Sequence, residues 1–168
     1  MIKKINLGNK KLALKFLSEI KNRGQTHFDI KINNSHILNL NKLIGRNVFK
    51  KDTLYIGSET LWEIMQPIGG KGKHNYHGLT EEDVFIALSS IKNPYAVLVS
   101  RDNRYSIISI KLSHFSERLK IIVEVGSELK DRINANVNKI VTIYPKDNVD
   151  DYIDRLENDS IIFRKKNR

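Results

Sequence analysis

The chain has 168 residues, enough for one domain with a buried core. Twenty-nine Lys and Arg residues outnumber nineteen Asp and Glu residues, so the formal net charge is +10 and a polyanion such as nucleic acid is the natural partner. The absence of cysteine excludes disulfide scaffolds, thiolate zinc sites and cysteine nucleophiles. No apolar segment has the length of a signal peptide or a transmembrane helix, so we expect a soluble protein that acts in the cytoplasm and does not contact a membrane.

The first 37 residues predict a basic helix followed by a strand at the edge of a sheet. Residues 9–21 place apolar side chains at helical spacing, and Gly24 follows as a stop signal. Residues 28–32 alternate apolar and polar side chains, as an edge strand does. We expect one compact unit in which residues 38–168 form the main domain, and residues 1–37 are either part of it or an extension.

The middle of the chain predicts a short strand and a short helix. Residues 53–56 are typical of a strand. Thr60 and Glu63 have the spacing of a capping box, which predicts a helix that begins there and continues through Met65.

The second half predicts a sheet with two helices. The acidic residues 81–83 suit the first turn of a helix, and Asn93-Pro94 closes it. Strands are expected at residues 95–99, 104–110, 119–125, 138–144 and 160–163, with a hairpin turn at 102–103 and a helix at 149–156. Consecutive strands without crossover helices favour antiparallel pairing, so we predict an α+β fold with an antiparallel sheet and helices packed on one of its faces.

Residues 71–80, KGKHNYHGLT, carry two imidazoles, two ammonium groups and a phenol just before that helix. Histidine can donate or accept a proton near neutral pH, and lysine can neutralise the charge that builds on a phosphate in a transition state. These groups suffice to cleave a phosphodiester without a metal. A loop rich in Lys and His is also common on solvated surfaces, and spacing alone leaves both interpretations open.

The strand at residues 138–144 carries a second group of polar side chains. If Val141 and Ile143 point into the core, Thr142 and Tyr144 project together from the opposite face, with Lys146 just beyond the strand. The alternative is an ordinary half-exposed strand, since Thr and Tyr are good strand formers.

Other chemistries have weaker support. Residues 69–73 are rich in glycine and lysine but lack the Lys-Ser/Thr ending of a nucleotide-binding loop. His74 and His77 could supply two zinc ligands, but no third ligand follows at a recognisable spacing, so we expect neither a metal nor a cofactor. The other histidines, which we expect to be structural or at the surface, are His27, His36 and His114.

A family resemblance rests on several segments in a fixed order. They are residues 77–82, HGLTEE; then Asn93-Pro94 leading into a strand and a hairpin; then residues 138–146, NKIVTIYPK; and finally a short helix and a last strand. From about residue 38 to the end, the chain resembles the C-terminal domain of phage MuF-type polymorphic proteins, which belong with the phage-associated barnase, EndoU, colicin and RelE-like nucleases.

The resemblance implies an α+β fold of the barnase, EndoU and RelE-like nuclease type and a metal-independent, toxin-like endoribonuclease. In that activity the RNA 2′-hydroxyl attacks the adjacent phosphorus and leaves a 2′,3′-cyclic phosphate. The residues that the resemblance assigns to catalysis are His77, His74, Lys73, Thr142 and Tyr144. The residues expected to contact nucleic acid are Lys71, Lys73, Arg101 and Lys146.

We expect His77 to take the 2′-hydroxyl proton or to protonate the 5′-oxygen, with His74 in the other half-reaction. Lys71 and Lys73 would steady the phosphorane, and Thr142 and Tyr144 would position the phosphate. RNA is then the main partner, with an immunity protein or a host protein as a further one. The alternative is a non-catalytic phage or mobile-element protein that uses a nuclease-like scaffold to inhibit a host nucleic-acid-handling complex, which needs the same positive charge.

Overall fold

The computed structural model describes residues 2–24, 26–49, 53–69, 75–129 and 132–166, with only the backbone for 132–135. These residues form a mixed eight-stranded sheet and five α-helices. The strands are β1 (Ile2–Lys4), β2 (Asp29–Ile32), β3 (Leu54–Gly57), β4 (Ala96–Arg101), β5 (Arg104–Leu112), β6 (Arg118–Leu129), β7 (Arg132–Lys146) and β8 (Ile161–Arg164). The helices are α1 (Lys10–Arg23), α2 (Asn34–Ile44), α3 (Ser58–Ile64), α4 (Glu81–Ser90) and α5 (Val149–Asp154), with a 3₁₀ turn at Asn158–Ser160.

The strand order in the sheet is β1-β2-β3-β7-β6-β5-β4-β8. Strands β7, β6, β5, β4 and β8 pair antiparallel in that order, whereas β1 with β2 and β3 with β7 are parallel pairs. The predicted α+β class is confirmed, but the prediction of an antiparallel sheet is wrong. Strands β3 and β7 are joined by a long connection that contains two helices and three strands, and this allows parallel pairing that no hairpin could produce.

The strand predicted at residues 28–32 is present as β2 but does not lie at an edge. It pairs with β3 on one side and with the three-residue strand β1 on the other. β1 is too short to show an alternating pattern of apolar and polar residues, so the sequence did not indicate the partner that covers β2.

The two faces of the sheet carry separate apolar clusters. Val97 and Ile107 belong to the main core, together with buried residues of α1, α2, α3 and α4. Leu98 and Ile108 point to the other face because side chains alternate along a strand, and there they pack with Val149 of α5. The prediction that all helices lie on one face is therefore wrong, since α5 covers the apolar second face of β4 and β5.

The helix boundaries follow from local hydrogen bonds. The Asn9 side chain accepts a hydrogen bond from the Leu12 N–H at 3.2 Å and begins α1 as predicted. The capping box predicted at Thr60 does not form, because α3 begins earlier, at Ser58. The Ser58 N–H donates to the Phe28 carbonyl at 2.7 Å and its hydroxyl accepts from the Phe28 N–H at 2.9 Å, which ties this turn to the segment before β2.

The sequence did not predict α2. Its first turn is held by the Asn33 side chain, which accepts from the Ser35 N–H at 3.1 Å, and Gly45 ends it with a left-handed φ of 82°. Through this helix, and through β1, α1 and β2, the first 45 residues contribute strands to the same sheet and side chains to the same core as the rest of the chain. No helix among the described residues is long and apolar enough to span a membrane.

Candidate functional site

Two segments that are far apart in the sequence meet beside β7. The Nε2 atom of His77 lies 3.2 Å from the Oγ1 atom of Thr142. The ring of Tyr144 lies with its centroid 5.6 Å from that of His77. Three of the five residues that the sequence analysis assigned to catalysis are thus in one cluster.

A β-bulge in β7 sets the direction of these side chains. The register between β6 and β7 shifts at Val141, which becomes an extra residue in the strand. Ile140 and Ile143 are fully buried, although they lie three residues apart, and Thr142 and Tyr144 point to the opposite face. Simple alternation along the strand predicts Val141 in the core, whereas the bulge puts Ile140 there and leaves Val141 half-buried.

The segment with His77 reaches Thr142 because β3 is short. The pairing of β3 with β7 ends at Ile56 and Ile140, and β7 continues to Lys146 without a described strand on that side. The backbone N–H of Gly78 donates to the Gln66 carbonyl at 2.8 Å and holds the segment in place.

Gly78 has a backbone conformation that suits glycine. Its φ is +65°, and a Cβ at this position would lie 3.3 Å from Cγ1 of Ile68. A left-handed conformation costs an ordinary residue about 1–2 kcal/mol. Glycine therefore allows the sharp turn that directs the neighbouring imidazole towards β7.

The other end of the segment is anchored at α4. Thr80 Oγ1 accepts from the Asp83 N–H at 3.1 Å, and the Thr80 N–H donates to Asp83 Oδ2 at 2.9 Å, so the helix start predicted here is confirmed. Asp83 is fully buried and also accepts from the His114 N–H at 2.9 Å and contacts the His114 ring. This supports the structural role expected for His114.

Lys120 belongs to the same cluster, although the sequence analysis did not single it out. It lies on β6 directly opposite Tyr144, and only 8% of its surface is exposed. Its ammonium donates to the Tyr152 hydroxyl at 3.0 Å and lies 5.6 Å from the centroid of the Tyr144 ring. The sequence feature that could have identified Lys120 is a charged residue inside the apolar run of residues 119–123.

The electrostatics of Lys120 favour a permanent positive charge. Burial alone would lower the pKa of the ammonium, but its interactions with the phenols of Tyr152 and Tyr144 outweigh burial, and the pKa is raised above its usual value. The group therefore stays protonated at neutral pH, in surroundings where a charge acts more strongly than it does in water.

The imidazole of His77 has the opposite tendency. It is half-buried, and burial lowers its pKa below the usual 6.5. The ring is therefore neutral at pH 7 and able to accept a proton. Within the described part of the chain, no group of three or more His, Cys, Asp or Glu residues is arranged to hold a metal ion.

The predicted nucleic-acid contacts are divided in space. The Nζ atom of Lys146 lies 4.7 Å from the centroid of the Tyr152 ring and so adjoins the cluster. Arg101 lies at the end of β4, three strands away from β7, and is not part of it. The remaining predicted site residues, which fall outside the described residues, are Lys71, Lys73 and His74.

Both segments of the cluster lie in a region that matches a known family. The model of the Phage MuF-C-terminal domain matches residues 69–168, more than half of the chain. The matched region includes both segments of the cluster, from His77 to Tyr152. No curated protein and no solved structure matches the chain.

Proposed function

The chain belongs to the Phage MuF-C-terminal domain family, and from this premise we propose that it is an endoribonuclease that cleaves RNA without a metal. The observation that carries the proposal is the 3.2 Å contact between His77 and Thr142 beside the buried ammonium of Lys120. A proton acceptor, a hydroxyl and a fixed positive charge thereby lie in one cluster. The net charge of +10 suits a polyanionic substrate, and the proposal places the chain with the barnase, EndoU, colicin and RelE-like nucleases.

The first step is a proton transfer to His77. The neutral imidazole accepts the proton of the 2′-hydroxyl through Nε2, in the position that the Thr142 hydroxyl contacts in the free protein. The 2′-oxygen then attacks the adjacent phosphorus, and the bond from phosphorus to the 5′-oxygen breaks. We propose His74 as the acid that protonates the 5′-oxygen, because it lies three residues before His77 in the sequence. The products are a 2′,3′-cyclic phosphate and a 5′-hydroxyl.

Electrostatic stabilisation of the phosphorane falls to the cations. The ammonium of Lys120 lies next to Tyr144, and its raised pKa keeps it charged throughout the reaction. Lys71 and Lys73 would add charge from the segment before His77. Thr142 and Tyr144 would donate hydrogen bonds to the phosphate oxygens.

The proposal is tested by incubating the purified protein with 5′-labelled single-stranded RNA in EDTA. We expect cleavage that survives chelation, a 2′,3′-cyclic phosphate on the 5′ fragment, and no cleavage of an otherwise identical oligonucleotide with 2′-deoxyribose. Cleavage that stops in EDTA would contradict the metal-independent mechanism. Intact RNA with tight, salt-sensitive binding would instead support the non-catalytic inhibitor.

The pH dependence of the reaction should report the state of His77. A general base must be neutral in the free enzyme, and burial holds the pKa of this imidazole below 6.5. We therefore expect kcat/KM to be retained as the pH falls to 6.5 and to be lost only at lower pH. A profile of kcat/KM against pH gives this acidic limb directly. A limb centred above 6.5 would argue against His77 as the base.

A further inference from the structure

We propose that Lys146 forms a second phosphate subsite, which binds the phosphate next to the one that is cleaved beside Lys120. The inference rests on the proposed ribonuclease function and adds that the substrate is an extended RNA strand with at least two phosphates in contact with β7 and β6.

The two ammonium groups lie against one aromatic ring. The Nζ atom of Lys120 is 4.8 Å from the centroid of the Tyr152 ring, and the Nζ atom of Lys146 is 4.7 Å from it. Both cations therefore contact the same side chain, and Tyr152 holds Lys120 through its hydroxyl at 3.0 Å.

Neither cation has a carboxylate partner among the described residues. The ion pairs within 4.0 Å in that part of the chain include neither Lys120 nor Lys146. Asp147 and Asp151 line the adjacent cavity of ≈ 230 Å³ together with Lys146, but neither pairs with its ammonium. An ammonium group without a carboxylate partner can bind an anion such as a phosphate through charge-assisted hydrogen bonds.

The position of Lys146 fits an RNA strand that also occupies the catalytic cluster. Thr142, Tyr144 and Lys146 are alternate residues of β7, and so they follow one another on one face of the strand. Thr142 and Lys146 are separated by about 13 Å at the usual rise of a strand. A row of this length, with Lys120 opposite its middle residue, exceeds the size of one phosphate. The chemistry is that of a phosphodiester backbone that runs from His77 towards Lys146.

The experiment compares dinucleotides that carry one phosphate with the same dinucleotides extended by a terminal phosphate at either the 5′ or the 3′ end. In the wild type we expect one of the two extensions to raise kcat/KM roughly tenfold, as a hydrogen bond between charged groups does. In Lys146→Gln this gain should disappear, so that the extended and the single-phosphate substrates have about the same kcat/KM. Lys42→Gln, an exposed lysine on α2, is the matched control and should keep the gain.

Binding of an uncleavable 2′-deoxy oligonucleotide gives a second measurement that does not depend on catalysis. We expect the plot of log affinity against log salt to be less steep by about 0.7 in Lys146→Gln, which corresponds to one lost phosphate contact in a single strand. Cleavage by the wild type without a gain from either extension would overturn the subsite and leave the ribonuclease proposal intact. If no RNA is cleaved but the salt slope still depends on Lys146, the ribonuclease proposal fails and the phosphate contact of Lys146 stands. An unchanged salt slope in Lys146→Gln would overturn the subsite in either case.

Discussion

Replacing His77 by alanine is expected to lower the rate of RNA cleavage in EDTA by about a hundredfold or more, the usual contribution of a positioned general acid or base. The loss follows from the geometry, because this imidazole is neutral at pH 7 and its Nε2 atom is directed at a hydroxyl of β7. Single-turnover cleavage of labelled RNA measures the effect on the chemical step, and added imidazole should restore part of the activity.

Two further variants separate the role of this imidazole from a general disturbance. Thr142→Val keeps the shape of the side chain but removes the hydroxyl, and we expect a loss of roughly tenfold, the scale of one hydrogen bond to a charged group. His27→Ala is the matched control, because His27 is exposed and pairs with Glu59 at 2.6 Å on another part of the molecule. Cleavage that persists unchanged in a folded His77→Ala protein would show that the imidazole is not catalytic or that the activity comes from a contaminant.

Elements with a local signal could be predicted from the sequence. Thr80 and Asp83 cap α4 with side chains that lie three residues apart, and the hairpin of β4 and β5 closes at Asn103, whose φ of 59° suits asparagine. The parallel pairing of β3 with β7 joins residues about eighty positions apart and leaves no such local pattern. For the same reason β1 could not be predicted, because its three residues form a strand only through their pairing with β2.

In the candidate site, too, the residues with a local sequence pattern could be predicted and the one that depends on a distant contact could not. The alternation of side chains along β7 was enough to place Thr142 and Tyr144 on one face, and the mixture of His and Lys before α4 was enough to select His77. Lys120 could not be selected in this way, because its hydrogen bond is with Tyr152, which lies 32 residues later and reaches it through the packing of α5 on the second face of the sheet.

A second large effect is expected on stability rather than on activity, and it arises from His36. This residue is 4% exposed, and both ring nitrogens are without a hydrogen-bond partner among the described residues. Burial, together with the positive charge of Lys92, lowers the pKa of the imidazole from 6.5 to about 4. As the pH falls, the ring therefore becomes protonated first in the unfolded state, while it stays neutral in the folded state.

The sign and size of the effect follow from this difference in pKa. The contribution of the neutral His36 ring to the free energy of unfolding is fully present above pH 6.5 and is lost progressively as the pH falls towards about 4. At about 1.4 kcal/mol for each pKa unit, the protein should lose about 3 kcal/mol of unfolding free energy over this range. Urea denaturation followed by circular dichroism at a series of pH values measures the loss.

His36→Leu removes the titrating group and keeps an apolar side chain in the space beside Ile37 and Leu40, so its stability should change much less over the same pH range. The variant should also be at least as stable as the wild type at the acidic end, since no buried polar atoms remain unpaired at this position. His27→Leu is the matched control and should keep the wild-type pH dependence, because His27 is exposed. If His36→Leu instead shows the same loss of stability as the wild type, the acid sensitivity has another origin and the imidazole is not held neutral by burial.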